Sequence, residues 1–256
     1  MHSLRGKIVF VTGASAGIGR SCARAFAAER AKVLMCARRA DRLKAFAAEL
    51  AKEFGIPVHY FTLDVRSQGA VEKAISGLPG EWGSIEVLVN NAGLSRGLAK
   101  LHEGLVSDWD EMIDANVKGL LYVSRAVIPG MVERRAGHVI NIGSIAGREV
   151  YPGGNVYCAT KFAVRALTSG LRLDLNGTPI RVSEVAPGLV QTEFSIVRFH
   201  GDAERAGKVY QGLTPLSPDD IADAVVWCAT RPPHVNVSEL VVMPTAQASA
   251  TLVHRT

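Results

Sequence analysis

Short apolar runs alternate along the chain with longer stretches in which apolar residues recur every three or four positions. Residues 7–12 (K-I-V-F-V-T) form the first run, whose β-branched and aromatic composition is typical of a strand buried on both faces of a parallel sheet. Ile18, Cys22 and Phe26 follow at intervals of four, as on one face of a helix. The alternation predicts six further strands, at residues 31–37, 58–63, 85–89, 138–142, 180–185 and 240–243.

Helices are predicted between these strands. One runs from Leu43 to Phe54 and is closed by Gly55 and the Pro57 turn, and another carries Val71. The remaining ones are a helix capped by Ser107 that runs towards Pro129, and a long helix at residues 157–175. Strands alternating with helices of this length imply βαβ units with right-handed crossovers. No linker or internal repeat divides the chain. The pattern therefore predicts one α/β domain over residues 1–256, a doubly wound, Rossmann-type parallel seven-stranded sheet flanked by helices.

Composition narrows the class of protein. With 256 residues, 48% of them hydrophobic and 21% charged, the chain has the composition of a globular protein with a large core. No run approaches the roughly 18 apolar residues of a membrane helix, and the first apolar run is too short for a signal-peptide core. We therefore expect neither a membrane segment nor a secreted protein.

The cysteines and charges point to the cytoplasm and to a small ligand. The cysteines lie far apart without a C-x-x-C pair, as expected of reduced thiols in a cytoplasmic protein, and no metal site is expected. Basic residues exceed acidic ones by five, but they are scattered along the chain. An anionic small molecule is therefore a better expectation than nucleic acid.

A glycine-rich turn separates the first strand from the first helix. Its sequence, T-G-A-S-A-G-I-G, contributes Gly13, Ser15, Gly17, Ile18 and Gly19 as candidate cofactor-binding residues. Glycines in such a turn let the backbone approach a pyrophosphate, whose charge faces the N-terminus of the following helix. The spacing is G-x-x-x-G-x-G, and its position between a buried strand and an amphipathic helix favours nucleotide binding over a merely structural turn.

The residues after the second strand indicate which nucleotide is bound. A site for NAD generally places a carboxylate here to bind the ribose 2′-hydroxyl, whereas a 2′-phosphate requires a cation. The chain offers Arg38 and Arg39, with no acidic residue before Asp41. The pair could also be a solvated basic loop. The sequence favours NADP.

Three residues form a candidate catalytic set. Tyr157 and Lys161 lie one turn apart on a predicted helix, and Ser144 follows the fifth strand. A tyrosine that acts as a base near pH 7 requires its pKa to fall by about 3 units from about 10, or about 4 kcal/mol. The Lys161 cation and an oxidised nicotinamide ring could supply this shift. Y-x-x-x-K occurs by chance in many helices, but its combination with the glycine turn and Ser144 is decisive.

These motifs together resemble the short-chain dehydrogenases/reductases of the single-domain type. T-G-A-S-A-G-I-G, N-N-A-G, the Ser–Tyr–Lys set and P-G-L-V-Q-T occur in the expected order, and the resemblance extends from residue 7 to about 242. It implies reversible reduction of a carbonyl to an alcohol, with Tyr157 as proton donor and acceptor. Lys161 would lower the pKa of Tyr157 and hold the nicotinamide ribose, Ser144 would orient the substrate oxygen, and Asn116 would hold a relay water.

The resemblance also implies further cofactor contacts. Asp64 and Val65 would border the adenine, and Asn90 would line the adenosine ribose. The nicotinamide end would contact residues of the P-G-L-V-Q-T motif. The remaining expected cofactor residues are Ala92, Gly93, Pro187, Gly188 and Thr192.

Residues 193–214 would form a lid over the substrate. This segment and the tail resemble the branch of bacterial NADP-dependent 3-hydroxy acid dehydrogenases, which oxidise serine and related acids. A carboxylate on the substrate would need an arginine, for which Arg198, Arg148 and Arg96 are candidates, with Phe194 beside them.

Two alternative functions remain open at this point. A reductase of a bulkier ketone or aldehyde would use an apolar pocket of Leu94, Val150, Phe194 and Phe199. A non-catalytic NADP-binding regulator would have no need of an intact Ser–Tyr–Lys set. The helices near residues 117–131 and 156–173 are apolar on more than one face, and matching helices pack across a two-fold interface in this family. We therefore expect a homotetramer.

Overall fold

The computed structural model describes residues 3–256. Seven parallel strands form one sheet in the order β3-β2-β1-β4-β5-β6-β7, which confirms the doubly wound α/β topology. Each predicted strand is present, with bounds that differ from the expected ones by one or two residues. The strands are β1 Ile8–Thr12, β2 Lys32–Ala37, β3 Val58–Thr62, β4 Val87–Asn90, β5 His138–Ile142, β6 Arg181–Pro187 and β7 Glu239–Val242.

Helices cover both faces of the sheet. One face packs against β-strand residues such as Val9 and Ile140, and the other against Phe10 and Val139, so the sheet lies between two hydrophobic clusters. The helices are α1 Gly17–Ala28, α2 Ala40–Phe54, α3 Gln68–Ser76, α4 Val106–Ile113, α5 Leu120–Arg134, α6 Asn155–Asp174, α7 Phe194–Arg198, α8 Ala203–Lys208 and α9 Pro218–Ala229.

The helix expected to begin at a Ser107 cap differs from that prediction. It begins at Val106, so Ser107 lies inside its first turn, and no side chain caps it. After Ile113 the backbone passes through a π-helical turn, Asp114–Gly119, and then continues as α5 beyond Pro129. A π turn widens the helix by one residue, which an apolar pattern with a period of 3.6 does not reveal.

The sequence analysis missed α9, although the chain carries a clear signal for it. Ser217 and Asp220 form a capping box, in which the serine hydroxyl accepts a hydrogen bond from the Asp220 amide and the aspartate accepts one from the Ser217 amide. Pro218 occupies the first helical position, where its missing N–H has no cost. Ser-Pro-Asp-Asp before an apolar run is a helix start.

The carboxyl ends of the central strands place the functional residues at one edge of the sheet. β1 ends at Thr12 before the glycine turn, β4 at Asn90 before N-A-G, and β5 at Ile142 two residues before Ser144. Ligands of open parallel sheets bind outside these ends. Within residues 3–256, none of the helices combines the length and apolar character required to cross a membrane.

Candidate active site

A cavity of about 580 Å³ opens at the carboxyl edge of the sheet. It is the space that a parallel sheet leaves between its strand ends and the loops that follow them. Most of the predicted catalytic and cofactor residues meet in it. The predicted residues that line it are Gly13, Gly17, Ile18, Arg39, Ala92, Gly93, Ser144, Tyr157, Lys161, Pro187, Gly188, Thr192, Phe194 and Arg198.

The glycine turn is held in place by groups that the sequence analysis did not single out. The Thr12 hydroxyl accepts hydrogen bonds from the amides of Asn91 and Ala92, each at 3.0 Å. The Asn91 side-chain amide donates to the Thr12 carbonyl at 2.8 Å. Asn91 and Ala92, which follow β4, therefore hold the turn after β1 in place. The N-N-A-G motif could have indicated this.

Glycine is required at this turn for steric reasons. Gly13 has a φ of +68°, and a Cβ on it would lie 3.0 Å from the Ala92 Cα. A Cβ on Gly19, at the start of α1, would overlap with the Asn91 amide. The turn thus keeps its backbone exposed to the cavity at the N-terminus of α1, an arrangement that fits a dinucleotide pyrophosphate.

Arg39 joins the glycine turn to the predicted lid. Its Nε and Nη2 atoms donate to the Ser15 hydroxyl at 3.1 and 3.0 Å, and its Nη1 lies 2.7 Å from a Glu193 carboxylate oxygen. Arg42 binds the other Glu193 oxygen, also at 2.7 Å. Hydrogen bonds from Arg39, followed by those from Arg42, hold the pKa of Glu193 below its usual value. This cluster of cations fits an adenosine 2′-phosphate.

Arg38 has a different environment from Arg39. Its side chain is 54% exposed and lies outside the cavity lining, with its nearest carboxylate, Glu111, at 3.8 Å. A role in cofactor binding stays a prediction for Arg38. The sequence favoured Arg38 as the arginine that binds the phosphate or stacks on adenine, whereas Arg39 is the one that lines the cavity.

The adenine-side residues fit their predicted roles less closely. Asp64 is bound by Arg66, whose Nη2 lies 2.6 Å from it, and Val65 packs in the core against Gly119. Asn90 turns its side chain into the protein, where it donates to Ser124 at 3.0 Å and Asn141 at 2.9 Å. The place of Asn90 on the ribose side of the site stays a prediction, although these two partners occupy its side-chain nitrogen.

Tyr157, Lys161 and Ser144 come together as the sequence predicted. Tyr157 and Lys161 lie on one face of α6 and are both buried, with the lysine ammonium 6.0 Å from the tyrosine ring centre. The Lys161 ammonium donates to the Ile142 carbonyl at the end of β5, at 2.9 Å. Ser144 accepts from the Ala146 amide at 3.1 Å and also hydrogen-bonds to Tyr157.

The pKa of Tyr157 departs from the expected direction. Burial raises this pKa, and the Arg198 guanidinium and the Ser144 hydrogen bond offset only part of the increase. Lys161 does not produce the expected fall, because its ammonium is directed at a backbone carbonyl. Burial also lowers the pKa of Lys161 to about 8, against the opposing charge of Glu184.

Asn116 lies in the π-helical turn between α4 and α5. Its side-chain oxygen accepts from the Leu94 amide at 2.8 Å, and its side-chain nitrogen donates to the Leu94 carbonyl at 2.8 Å and to the Thr160 hydroxyl at 3.0 Å. The side chain thus connects α6 to the loop after β4. Its predicted role in holding a relay water stays a prediction.

Of the three candidate arginines, Arg198 lines the cavity. Its guanidinium carbon lies 5.5 Å from the Tyr157 ring centre and 5.1 Å from that of Phe194, and its Nη2 donates to the Tyr151 hydroxyl at 3.2 Å. Phe194 and Tyr157 contact each other edge to face at 5.6 Å. A cation held among aromatic rings above the candidate catalytic tyrosine can bind a carboxylate.

The other two candidate arginines are structural, and their assignment as substrate residues was wrong. Arg148 forms a two-pronged ion pair with the buried Glu184 and also binds Glu239 at 2.7 Å. Arg96 binds Glu111 at 2.7 Å and the Val197 carbonyl. Neither lines the cavity, because buried or nearby carboxylates occupy both guanidinium groups.

The apolar pocket proposed for a bulkier ketone is only partly present. Leu94 and Phe194 line the cavity, whereas Val150 is 66% exposed. Phe199 is buried beneath Arg205, whose guanidinium carbon lies 4.5 Å from its ring centre, and does not line the cavity.

The segment at residues 193–214 covers the cavity together with the C-terminal tail. It contains the short helices α7 and α8, and the Ser195 and Tyr210 hydroxyls within it are 2.7 Å apart. Arg255 and Thr256 bind the segment through the Val209 and Gly212 carbonyls, at 3.1 and 2.9 Å. The sequence analysis missed these tail contacts, which no local motif encodes.

Comparisons with known proteins agree with this geometry. The family model described as short chain dehydrogenase matches residues 7–202. A curated NADP-dependent 3-hydroxy acid dehydrogenase of Salmonella typhi is 53% identical over 97% of this chain and 99% of its own. A protein of the same description from Schizosaccharomyces pombe is 42% identical over 100% of this chain and 99% of its own.

Solved structures give the same family. The closed form of a serine dehydrogenase complexed with NADP+ is 50% identical and has a TM-score of 0.91, covering 97% of this chain and 100% of its own. Serine dehydrogenase from Escherichia coli is 45% identical and has a TM-score of 0.81, covering 94% of this chain and 99% of its own.

Proposed function

The chain belongs to the short-chain dehydrogenase/reductase family, and from this premise we propose that it is an NADP-dependent oxidoreductase acting on a small 3-hydroxy acid such as serine. The single observation that carries the substrate class is Arg198, a cation above Tyr157 in the cavity. The similarity to 3-hydroxy acid dehydrogenases over nearly the whole chain supports the same class.

Tyr157, Ser144 and Lys161 have separate roles in the proposed reaction. When bound, NADP supplies the acceptor for the hydride that leaves the alcohol carbon. Tyr157 takes the proton of the alcohol hydroxyl, and Ser144 orients the substrate oxygen by a hydrogen bond. The Arg198 guanidinium and the Ser144 hydrogen bond lower the pKa of Tyr157 against the effect of burial, and Lys161 would hold the nicotinamide ribose.

The cofactor would lie across the glycine turn. Gly13, Gly17 and Ile18 would contact the pyrophosphate at the start of α1, and Arg39 would bind the 2′-phosphate beside Ser15. Pro187, Gly188 and Thr192 would border the nicotinamide end. Residues 193–214 would act as the lid.

A direct absorbance assay of reduced nicotinamide tests the substrate class. The protein is mixed with NADP or NAD and with L-serine, 3-hydroxypropionate, 3-hydroxybutyrate or bulky secondary alcohols, and reduced nicotinamide is followed at its absorbance maximum. We expect turnover of the 3-hydroxy acids with NADP. Turnover restricted to the bulky alcohols would overturn the substrate class but leave the family unchanged.

We propose a homotetramer on the basis of exposed apolar residues on α5 and α6. Leu121 and Val132 on α5 are 42% and 40% exposed, and Phe162 and Leu173 on α6 are 40% and 77% exposed. Burial of such surface against other copies is favourable. Light scattering should give four times the 27.3 kDa chain mass, and a mass of one subunit would contradict the proposal.

We propose a cytoplasmic location because the chain's cysteines are all reduced and buried. Cys22, Cys36, Cys158 and Cys228 are free thiols within the fold, and burial raises the pKa of Cys22, which keeps that thiol unreactive.

A further inference from the structure

A row of polar side chains crosses the carboxyl half of the sheet. Asn90, Asn141, Glu184 and Glu239 are neighbours in register on β4, β5, β6 and β7. Asn90 donates to Asn141 at 2.9 Å, and Asn141 donates to the Thr168 hydroxyl on α6, also at 2.9 Å. The row therefore faces α6, the helix that carries Tyr157 and Lys161.

Glu184 is the charged member of this row with no solvent exposure. Its carboxylate forms two hydrogen bonds with Arg148, at 3.0 and 3.2 Å, and the side chain is fully buried. Arg148 lies at the end of the loop that begins with Gly143 and Ser144. Burying a carboxylate away from water costs free energy. We therefore expect Glu184 to have a role beyond packing.

The same carboxylate packs against the loop that carries Ser144. A Cβ on Gly143 would overlap with the Glu184 side chain, so the residue before Ser144 has room only for hydrogen there. At the other end of the loop, a Cβ on Gly147 would lie 2.6 Å from the Lys161 carbonyl oxygen. The loop is thus confined between Glu184 on one side and α6 on the other.

Lys161 approaches the same point of the backbone. Its ammonium donates to the Ile142 carbonyl, and Ile142 precedes the glycine that Glu184 contacts. Burial lowers the pKa of Lys161 to about 8, and the Glu184 carboxylate is the group that opposes this fall. The other ionisable groups facing this region are Tyr157 on α6, Arg148 on the loop and Arg198 on α7.

We infer that Glu184 is a positioning residue, whose buried carboxylate stabilises the Lys161 ammonium and, through Arg148, fixes the loop that presents Ser144. The inference rests on the proposed roles of Lys161 and Ser144. It explains why a carboxylate stands at a fully buried position in β6.

The charge of Lys161 can be measured without turnover. Lys161 lines the cavity, so a small amine reagent such as acetic anhydride reaches it, and mass spectrometry reports its acetylation across a pH series. Because only the neutral amine reacts, the midpoint of labelling follows the pKa of Lys161. In Glu184→Gln we expect this midpoint to fall by about 1 pH unit, since the ammonium loses its neighbouring anion.

Glu239→Gln is the matched control. Glu239 binds the same Arg148 guanidinium at 2.7 Å but lies one strand further from β5, so its loss should leave the midpoint unchanged. Glu184→Asp keeps the charge and should restore the midpoint. An unchanged midpoint in Glu184→Gln, or an equal fall in Glu239→Gln, would overturn the inference.

A second variant covers the case in which Glu184→Gln does not fold. The double change Glu184→Met/Arg148→Met removes both buried charges and leaves neither unpaired, a replacement that folded proteins tolerate. Glu184, and not Arg148, shifts the pKa of Lys161, so the midpoint should again fall, and an unshifted midpoint in a folded double variant would also refute the inference. Thermal melting checks the fold of each variant.

The pH dependence of alcohol oxidation is a separate test of the effect of Glu184 on Lys161. Activity should decline at high pH as Lys161 loses its proton, and in Glu184→Gln this decline should begin about 1 pH unit lower. An absence of any alcohol oxidation would refute the proposed function, whereas the labelling midpoint tests Glu184 regardless of turnover.

Discussion

The two sides of the cavity are built in different ways. The floor, defined here as Ser144, Tyr157 and Lys161, rests on a strand end and a twenty-residue helix, and Lys161 donates to the Ile142 carbonyl at the end of β5. The lid, residues 193–214, consists of helices of five and six residues. It is attached to the rest of the protein by exposed ion pairs from Glu193, by hydrogen bonds of Arg198 and of the Val197 carbonyl to the loops after β4 and β5, and by the chain terminus.

This difference assigns different tasks to the two sides. Groups held by a sheet and a long helix keep the fixed geometry that a proton transfer needs. A segment with few buried contacts can open and close, which a site must do to admit substrate. We therefore expect changes in the floor to reduce kcat, and changes in the lid to act mainly on substrate affinity.

The largest effect is expected from Tyr157→Phe on the floor. The change removes the hydroxyl that exchanges the proton but keeps the ring that packs against Phe194. Loss of general acid–base catalysis should lower kcat by about 10²–10⁴-fold. Steady-state kinetics measure kcat, and fluorescence titration with NADPH should give an unchanged affinity. Unchanged turnover would contradict the role of Tyr157.

A smaller effect is expected from Arg198→Met on the lid. Hydrogen bonds to a charged group contribute about 1.5–3 kcal/mol, so kcat/KM for 3-hydroxy acids should fall by about 10–150-fold. Alcohols without a carboxylate should be slowed less, because they lose only the effect of Arg198 on the pKa of Tyr157. The ratio of kcat/KM for 3-hydroxybutyrate to that for a secondary alcohol of similar size measures this difference.

Arg205→Met is the control for this change. Arg205 lies on the lid helix α8, but its guanidinium stacks on Phe199 and does not line the cavity. It should leave the ratio unchanged. An equal fall in both variants would mean that lid structure, and not a carboxylate contact, determines the effect.

The contrast between floor and lid also explains what the sequence could predict. The order of strands and the meeting of Ser144, Tyr157 and Lys161 follow from local periodicity and from topology, which act over short stretches of chain. The π turn before α5 and the partners of Arg148 do not follow from local periodicity or topology. Which carboxylate lies beside Arg148 depends on β6 and β7, 36 and 91 residues away in the chain.

The groups of the protein that shift the pKa of Tyr157 could not be predicted for a similar reason. The spacing of Tyr157 and Lys161 places both on one helix face, but it gives neither the depth of burial nor the direction of the ammonium. Arg38 and Arg39 are equally basic in the sequence, yet one side chain faces solvent and the other the glycine turn. Electrostatic roles need three-dimensional distances.

The smallest effect is expected from Glu193→Gln, which tests whether the ion pairs restrain the lid. Each exposed pair is worth about 0.2–1 kcal/mol, so loss of the two pairs with Arg39 and Arg42 should make lid opening about two- to thirtyfold more favourable. Trypsin cleavage after Arg198, Arg205 or Lys208, followed by mass spectrometry, measures this opening. The cleavage rate should rise by the same factor.

Glu204→Gln separates this restraint from a general loss of charge on the lid. Glu204 pairs only with Lys208 on its own helix, at 2.8 Å, so its removal should leave the cleavage rate unchanged. The pairs of Glu193 form above the usual pKa of a glutamate, and they are lost only as the pH falls through its depressed value. The difference in cleavage rate between Glu193→Gln and Glu204→Gln should therefore be constant between about pH 6 and 8. It should shrink in high salt, which screens exposed ion pairs. Equal cleavage of Glu193→Gln and wild type at low salt would show that the Glu193 ion pairs do not restrain the lid.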